Sequence, residues 1–147
     1  MACSRAPEPR TRIFTSTSLE RMARARIPDD AGREAVDRAV REAASRDEIA
    51  TAVRYTLQLL AERSSGNTLE VRVPPFGAVQ CIEGPRHTRG TPPNVIETDA
   101  ETWLALATGA LSWADAAASG TVLASGSRAD LSGHIPVIRG ITTWANS

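Results

Sequence analysis

The sequence contains no lysine, and all 17 basic side chains among its 147 residues are arginines. These bases are balanced by 17 acidic side chains, so the formal net charge is zero at pH 7. A chain without a global field of one sign is not expected to bind nucleic acid through its charge. Two explanations of the arginine usage stay open: a coding bias toward GC-rich codons, or selection for bidentate contacts to anions.

Cysteine and long apolar runs are also scarce. The two cysteines are Cys3, in a predicted tail, and Cys81, in a predicted strand. A structural disulfide between them is not expected, which favours a reducing, cytoplasmic location. No run approaches the ~18 apolar residues of a membrane span, and the first residues include no apolar signal region. No integral membrane association is therefore expected.

Few side chains are available for catalysis or metal binding. The only histidines, His87 and His134, lie in different predicted loops with no Cys or Asp at a catalytic spacing. Cys81 with His87 could form a nucleophile pair, but a cysteine in the middle of a strand is more often a buried structural residue. No zinc, calcium or phosphate-loop motif is present. We therefore expect no enzyme activity, no metal and no cofactor.

The length of the chain suits one domain. Residues 1–28 predict a disordered tail, since they are rich in Arg, Pro and Ser/Thr and poor in apolar residues. A transit peptide and an overcalled start codon are the alternatives for this segment. Residues 29–147 are predicted to form the single domain.

Two helices are predicted at the start of this domain. The first, over residues 29–44, has a thin stripe of Ala and Val, which is typical of an outer helix. Ser45 and Glu48 form a capping box for a stronger helix that ends at about Arg63. The apolar stripe of this second helix leaves Tyr55 on another side.

Three strands are predicted next, over residues 69–73, 76–83 and 94–98. The first alternates apolar and charged residues, which indicates a half-buried strand. Only a short turn separates it from the second strand, so an antiparallel hairpin is expected.

A proline-stiffened loop over residues 84–93 carries three potential cations and no acid: Arg86, His87 and Arg89. These side chains could hold the carboxylate or phosphate head group of a ligand. The alternative is a solvated loop whose arginines pair with Glu83 or Glu97.

Residues 98–126 contain two short helices and a strand. Thr98 with Glu101 is interpreted as a capping box, and Gly109 occupies the position of a helix-ending glycine. Ser112 starts a second helix that ends at Gly120. A strand over 121–125 follows.

The C-terminal part of the domain is predicted to hold a short helix over 127–132 and an apolar segment over 135–138. Because Pro136 cannot donate to a sheet, this segment is either an edge strand or an extended arm that covers core. The fold class is therefore α+β, with a mostly antiparallel sheet of four to five strands and helices packed on it.

The segments 103–109, 114–120 and 122–126 resemble the C-terminal half of the sterol carrier protein family. They share its apolar turn, its Thr/Ser-Gly and Ser-Gly steps and its short strand closed by glycine. The preceding strands fit the family in order, so the resemblance covers residues 45–138. It is greatest to the short actinobacterial sterol-carrier-like members. The loop over 86–93, and the C-terminal region interrupted by Gly133 and Pro136, depart from the family pattern.

This resemblance implies a non-catalytic lipid or fatty-acyl carrier with an apolar cavity. The residues expected to line that cavity are Phe76, Val79, Trp103, Leu104, Leu106, Leu111, Trp113 and Val122. From sequence alone, these side chains could equally fill a small packed core. The alternative function is an enzyme-associated or regulatory interaction module without a lipid ligand, whose partner would be an enzyme or a second copy of the chain.

Overall fold

The computed structural model describes residues 25–41, 43–84 and 94–141. These ranges contain four helices and four strands, and we number them in chain order. They are α1 (Asp29–Arg41), α2 (Arg46–Arg63), β1 (Leu69–Val73), β2 (Gly77–Cys81), β3 (Asn94–Thr98), α3 (Ala100–Thr108), α4 (Trp113–Ser119) and β4 (Val122–Ser125).

The capping box of α2 is confirmed. The Ser45 hydroxyl accepts a hydrogen bond from the Glu48 backbone N–H at 3.2 Å, and the Glu48 carboxylate accepts one from the Ser45 backbone N–H at 2.8 Å. These two bonds satisfy backbone donors that have no partner within the helix. The helix therefore begins where the sequence predicts.

Tyr55 is buried, although the predicted stripe left it on another side of α2. Its exposed fraction is 2 %, because α1 covers that side of the helix. Gly32 makes this contact possible: a Cβ atom at Gly32 would lie 2.2 Å from the Tyr55 ring. The sequence pattern did not indicate this burial, because the stripe of one helix does not show where a second helix packs.

The cap of α3 differs by one residue from the predicted one. Asp99, and not Thr98, is the N-cap, and its Oδ1 accepts a hydrogen bond from the Thr102 N–H at 2.7 Å. Thr98 belongs instead to β3, and its hydroxyl donates to the Thr121 carbonyl at 3.0 Å. Gly109 ends the helix in the left-handed region, with φ of 85°, as predicted.

The sheet has the strand order β2-β1-β3-β4. β2 pairs with β1 and β4 pairs with β3 in antiparallel fashion, whereas β1 and β3 are parallel. The α+β class is confirmed. On β1 and β3, alternate residues are buried, and on β1 these are Leu69, Val71 and Val73. The other face includes Glu70 and Arg72, which form an ion pair.

The helix predicted over 127–132 is absent. Ser127 and Asp130 have the spacing of a helix cap, which is the basis of that prediction. Asp130 instead accepts a hydrogen bond from the Ser132 N–H at 2.7 Å, which closes a local turn. The segment that follows is an extended arm that covers core. Val137 and Ile138 are buried, and their N–H groups donate to the Ala107 carbonyl.

Part of the predicted tail contacts α2. The backbone N–H and carbonyl of Ile27 pair with the side-chain amide of Gln58 at 2.8 and 3.0 Å, and Arg26 forms an ion pair with Glu62. Residues 1–24 lie outside the described residues. Within the described ranges, no helix has the length and apolar character needed to cross a membrane.

Candidate functional site

An apolar groove of about 740 Å³ lies among the helices. We call it the helix groove. Its walls come from the C-terminal end of α1 and the link to α2, from the first turn of α2, from the β1–β2 turn and from the length of α3. The lining residues are Ala39, Val40, Ala43, Ala44, Ile49, Phe76, Asp99, Ala100, Glu101, Leu104, Ala105, Thr108 and Ala110.

Small side chains of α1, of the link to α2 and of α3 account for the helix groove. Ala39 of α1 and Ala43 of the link line one wall, and Ala105 of α3 lines the other. Each presents a single methyl group where a larger side chain would fill the gap. A gap lined by methyl groups is therefore suited to an added apolar molecule.

The polar groups of the helix groove belong to α3. Both carboxylate oxygens of Asp99 accept hydrogen bonds from Thr102, and the Thr108 hydroxyl donates to the Leu104 carbonyl at 2.8 Å. Glu101 makes no hydrogen bond or ion pair with any residue in the described ranges. The carboxylate end of the groove is thus the N-terminal end of α3, and no arginine lines the groove among the described residues.

A second groove lies on the other side of Phe76. This strand groove has a volume of about 630 Å³ and is formed by α2, β2 and the residues before α1. Its lining residues are Ala25, Ile27, Thr51, Arg54, Leu57, Gln58, Phe76, Gly77, Ala78 and Val79. Of the residues in the described ranges, Phe76 alone lines both grooves.

The structure does not bring the eight predicted ligand-binding residues together. Phe76 and Leu104 line the helix groove, and Val79 joins Phe76 in the strand groove. Leu106, Leu111 and Trp113 line a smaller cavity of about 360 Å³ beside the C-terminal arm. Trp103 and Val122 are buried in the core. Helical spacing identified the apolar faces, but not which of them face empty space. The ligand-binding role of all eight stays a prediction.

The predicted head-group residues Arg86, His87 and Arg89 lie outside the described residues. The segment that contains them is attached at Gly84 and Asn94. β1 and β3 are parallel and start together, with Leu69 beside Asn94. Asn94 and Thr98 are the two ends of β3, and Asp99, which follows Thr98, lines the helix groove. The attachment point Asn94 is therefore at the other end of the strand from the groove. The head-group role of this loop stays a prediction.

The sequence did not reveal two features: the groove wall formed by the end of α1 and its link to α2, which we call the α1 wall, and a contact between α2 and the C-terminal arm. Ala39, Val40 and Ala43 belong to the stripe that predicted an outer helix, and its small side chains were the only signal of a gap. The Ser64 hydroxyl lies 2.8 Å from Nδ1 of His134 and joins the end of α2 to the arm. Since 70 positions separate the two residues, no local pattern predicts this contact.

Cys81 is fully buried, as the structural interpretation predicts. Removal from solvent raises the pKa of its thiol to about 11, so the thiol is protonated and weakly nucleophilic at neutral pH. No group of three His, Cys, Asp or Glu side chains that could hold a metal occurs among the residues that the structure describes.

These features define an α+β domain with helices against one face of a mixed sheet and an apolar groove among the helices. Residues 45–137, from the N-cap of α2 to the C-terminal arm, match the bacterial SCP ortholog family, where SCP denotes sterol carrier protein. The matched region exceeds half of the chain, so the chain belongs to this family. Comparison with curated protein sequences gives no match. Membership places the chain, at a coarse level, with lipid-binding carriers that are generally not catalysts.

Proposed function

We propose that this protein is a non-catalytic carrier that binds the acyl chain of a lipid in the helix groove. The observation that carries the proposal is the alanine-lined gap between α1 and α3, flanked by Ile49, Phe76 and Leu104. An acyl chain in this gap would be removed from water, which contributes about 25 cal/mol per Å² of apolar surface. The proposed location is the cytoplasm, as the cysteine usage predicts.

The chemistry of the groove favours a ligand with an uncharged or cationic head group. Asp99 and Glu101 are the charged lining residues in the described ranges, and both are acidic. A ligand carboxylate beside them would be repelled, because like charges at short distance raise the free energy of the complex. A fatty alcohol or a neutral ester avoids this cost.

Native mass spectrometry of the purified protein, followed by titration with hexadecanol and palmitate, tests this proposal. We expect co-purifying lipid and tighter binding of hexadecanol than of palmitate. A preference for palmitate would support the predicted basic loop as the head-group site instead. A clean apo mass with no uptake of either ligand would contradict the carrier function.

A groove-filling variant identifies the site of binding. Ala105→Trp places an indole on the α3 wall, so hexadecanol should bind at least tenfold more weakly. Ala117→Trp makes the same change at an exposed position of α4 that does not line the groove, and its affinity should equal that of the wild type. Equal affinities for the two variants would place the ligand elsewhere.

An enzyme-associated or regulatory interaction module is the second candidate. The observation that favours it is Leu123 of β4, whose exposed fraction is 68 %. Leu123 is opposite Glu97 on the outer face of the sheet, where the charged residues of β1 also lie. Light scattering of the wild type and of Leu123→Asp tests it: a dimer that the substitution dissociates would support the module, and a monomer in both would argue against self-association.

A further inference from the structure

Among the residues that the structure describes, the helix groove and the strand groove share one lining residue. Phe76 lines both, while every other lining residue belongs to only one of the two. We propose that the Phe76 ring is a partition that sets the length of the acyl chain this protein accepts. This inference rests on the proposed function and names the residue that determines chain-length specificity at the same site.

Hydrogen bonds of both its N–H and its carbonyl hold the backbone of Phe76 in place. Its N–H donates to the Val73 carbonyl at 2.9 Å, and its carbonyl accepts a hydrogen bond from Nε of Arg54 at 3.0 Å. A change in the position of the ring therefore takes place through its side-chain torsions and not through movement of the turn. The partition has a defined place in the wall between the grooves.

The ring itself is held more weakly than the backbone. Phe76 is half-buried, and the guanidinium of Arg46 lies 5.8 Å from the ring centroid. A cation over an aromatic face is attracted to it, but this attraction is small at an accessible site. The ring is thus stabilised between the two grooves. Truncation of the Phe76 side chain removes the ring without breaking a backbone hydrogen bond.

The strand groove offers a second apolar compartment behind the ring. Ile27, Leu57 and Val79 supply aliphatic side chains to its walls. Methylene groups that pass the position of the ring would leave water for these walls. Without the ring, a longer chain should continue to gain affinity where the wild-type groove is already full.

The test is a series of straight-chain alcohols from octanol to octadecanol, measured by displacement of the uncharged fluorescent probe N-phenylnaphthylamine. In the wild type, affinity should rise about fourfold for each methylene that becomes buried, and then level off. We call the chain length at which the affinity stops rising the levelling point. In Phe76→Ala, the levelling point should move to longer chains. Phe76→Leu, which keeps an apolar side chain in the turn, should show a smaller shift.

Two further variants isolate the partition from a general change in the groove. Ile49→Ala removes apolar wall from the helix groove alone, so it should weaken all alcohols similarly and leave the levelling point where it is. Val79→Trp, combined with Phe76→Ala, fills the strand groove from the face of β2 that is turned toward α2, and should return the levelling point to that of the wild type. Circular dichroism of each variant verifies its folding.

The outcomes separate this inference from the proposed function. Alcohol binding with one levelling point in the wild type, Phe76→Ala and Phe76→Leu would overturn the partition and leave the carrier function in place. No binding of any alcohol to the wild type would overturn both.

Discussion

The indole N–H of Trp103 donates a hydrogen bond to the hydroxyl of Thr56 at 2.8 Å, and both residues are completely buried. The same hydroxyl lies 2.8 Å from the carbonyl of Ala52, to which it donates within α2. A polar pair of side chains thus joins α3 to α2 within the core. Because α3 forms one wall of the helix groove, this bond also fixes the position of that wall.

Thr56→Val should lower the free energy of unfolding by about 1–3 kcal/mol. Valine preserves the shape of the side chain but leaves the buried Trp103 N–H without its acceptor. Urea denaturation measures the change, and Thr56→Ser, which keeps the hydroxyl, is the control. Combining Thr56→Val with Trp103→Phe should cost less than the sum of the two single changes, since the double variant has no unpaired indole N–H. Additive costs would contradict the contact.

Gly32→Ala should destabilise the fold by about 1–3 kcal/mol, the usual cost of overpacking. Alanine is intrinsically better than glycine in a helix by about 1 kcal/mol, but a Cβ atom 2.2 Å from the Tyr55 ring forces α1 away from α2. Thermal denaturation measures the loss. In a Tyr55→Ala background the ring is absent, so the same substitution should become neutral or stabilising. A loss of equal size in both backgrounds would contradict the packing.

Cys81 should be unreactive toward a thiol reagent in the native protein at neutral pH. Burial raises the pKa of its thiol to about 11, and the thiolate is the reactive form. In a Cys3→Ser variant, which leaves Cys81 as the only cysteine, Ellman's reagent should give a signal only after guanidinium is added. Rapid native labelling would show that Cys81 is accessible.

The same pKa predicts how stability changes at alkaline pH. The folded state favours the neutral thiol of Cys81, so its contribution is complete below the pKa of the unfolded thiol, about 8.5. As the pH rises from there toward about 11, the unfolded chain ionises first and the free energy of unfolding falls. Cys81→Ala should remove this part of the decline. Parallel stability curves for the two proteins between these pH values would contradict the assignment.

Asp29 should titrate below the usual range of an aspartate. The Tyr55 hydroxyl donates to its Oδ1 at 3.0 Å, and this bond, followed by the bond from Arg26, lowers the pKa of the carboxyl. A lowered pKa contributes stability above the unfolded value that is lost as pH falls through the folded value. Carboxyl ¹³C NMR measures the titration, and Tyr55→Phe should raise the pKa toward its ordinary value. An unchanged titration in that variant would assign the lowering to Arg26 alone.

Local patterns predicted most of the secondary structure. Ser45 with Glu48 marked the start of α2, Gly109 marked the end of α3, and the predicted third strand has the bounds of β3. Each of these features depends on residues a few positions apart, which is the range over which caps and alternation act. The absent helix at 127–132 shows the limit of this approach, because an aspartate such as Asp130 can accept a backbone hydrogen bond in a turn as readily as at a helix cap.

The arrangement of the elements could not be predicted in the same way. Burial of Tyr55 depends on Gly32 of another helix, and the Ser64–His134 contact joins positions 70 residues apart. The candidate site has the same origin. Phe76 and Leu104 were named from the sequence, but the α1 wall with Ala39 and Val40 becomes visible only when α1 is placed against α3.

The wall that α1 contributes lies outside the region that matches the family, residues 45–137. Ala39 and Val40 form no part of the sheet, so larger or smaller side chains there would reshape the groove while the strands keep their pairing. These positions can therefore vary without changing the sheet, whereas Phe76 and the α3 wall of the same groove lie within the matched region. Engineering of a new selectivity should therefore begin with a library at positions 39, 40 and 43.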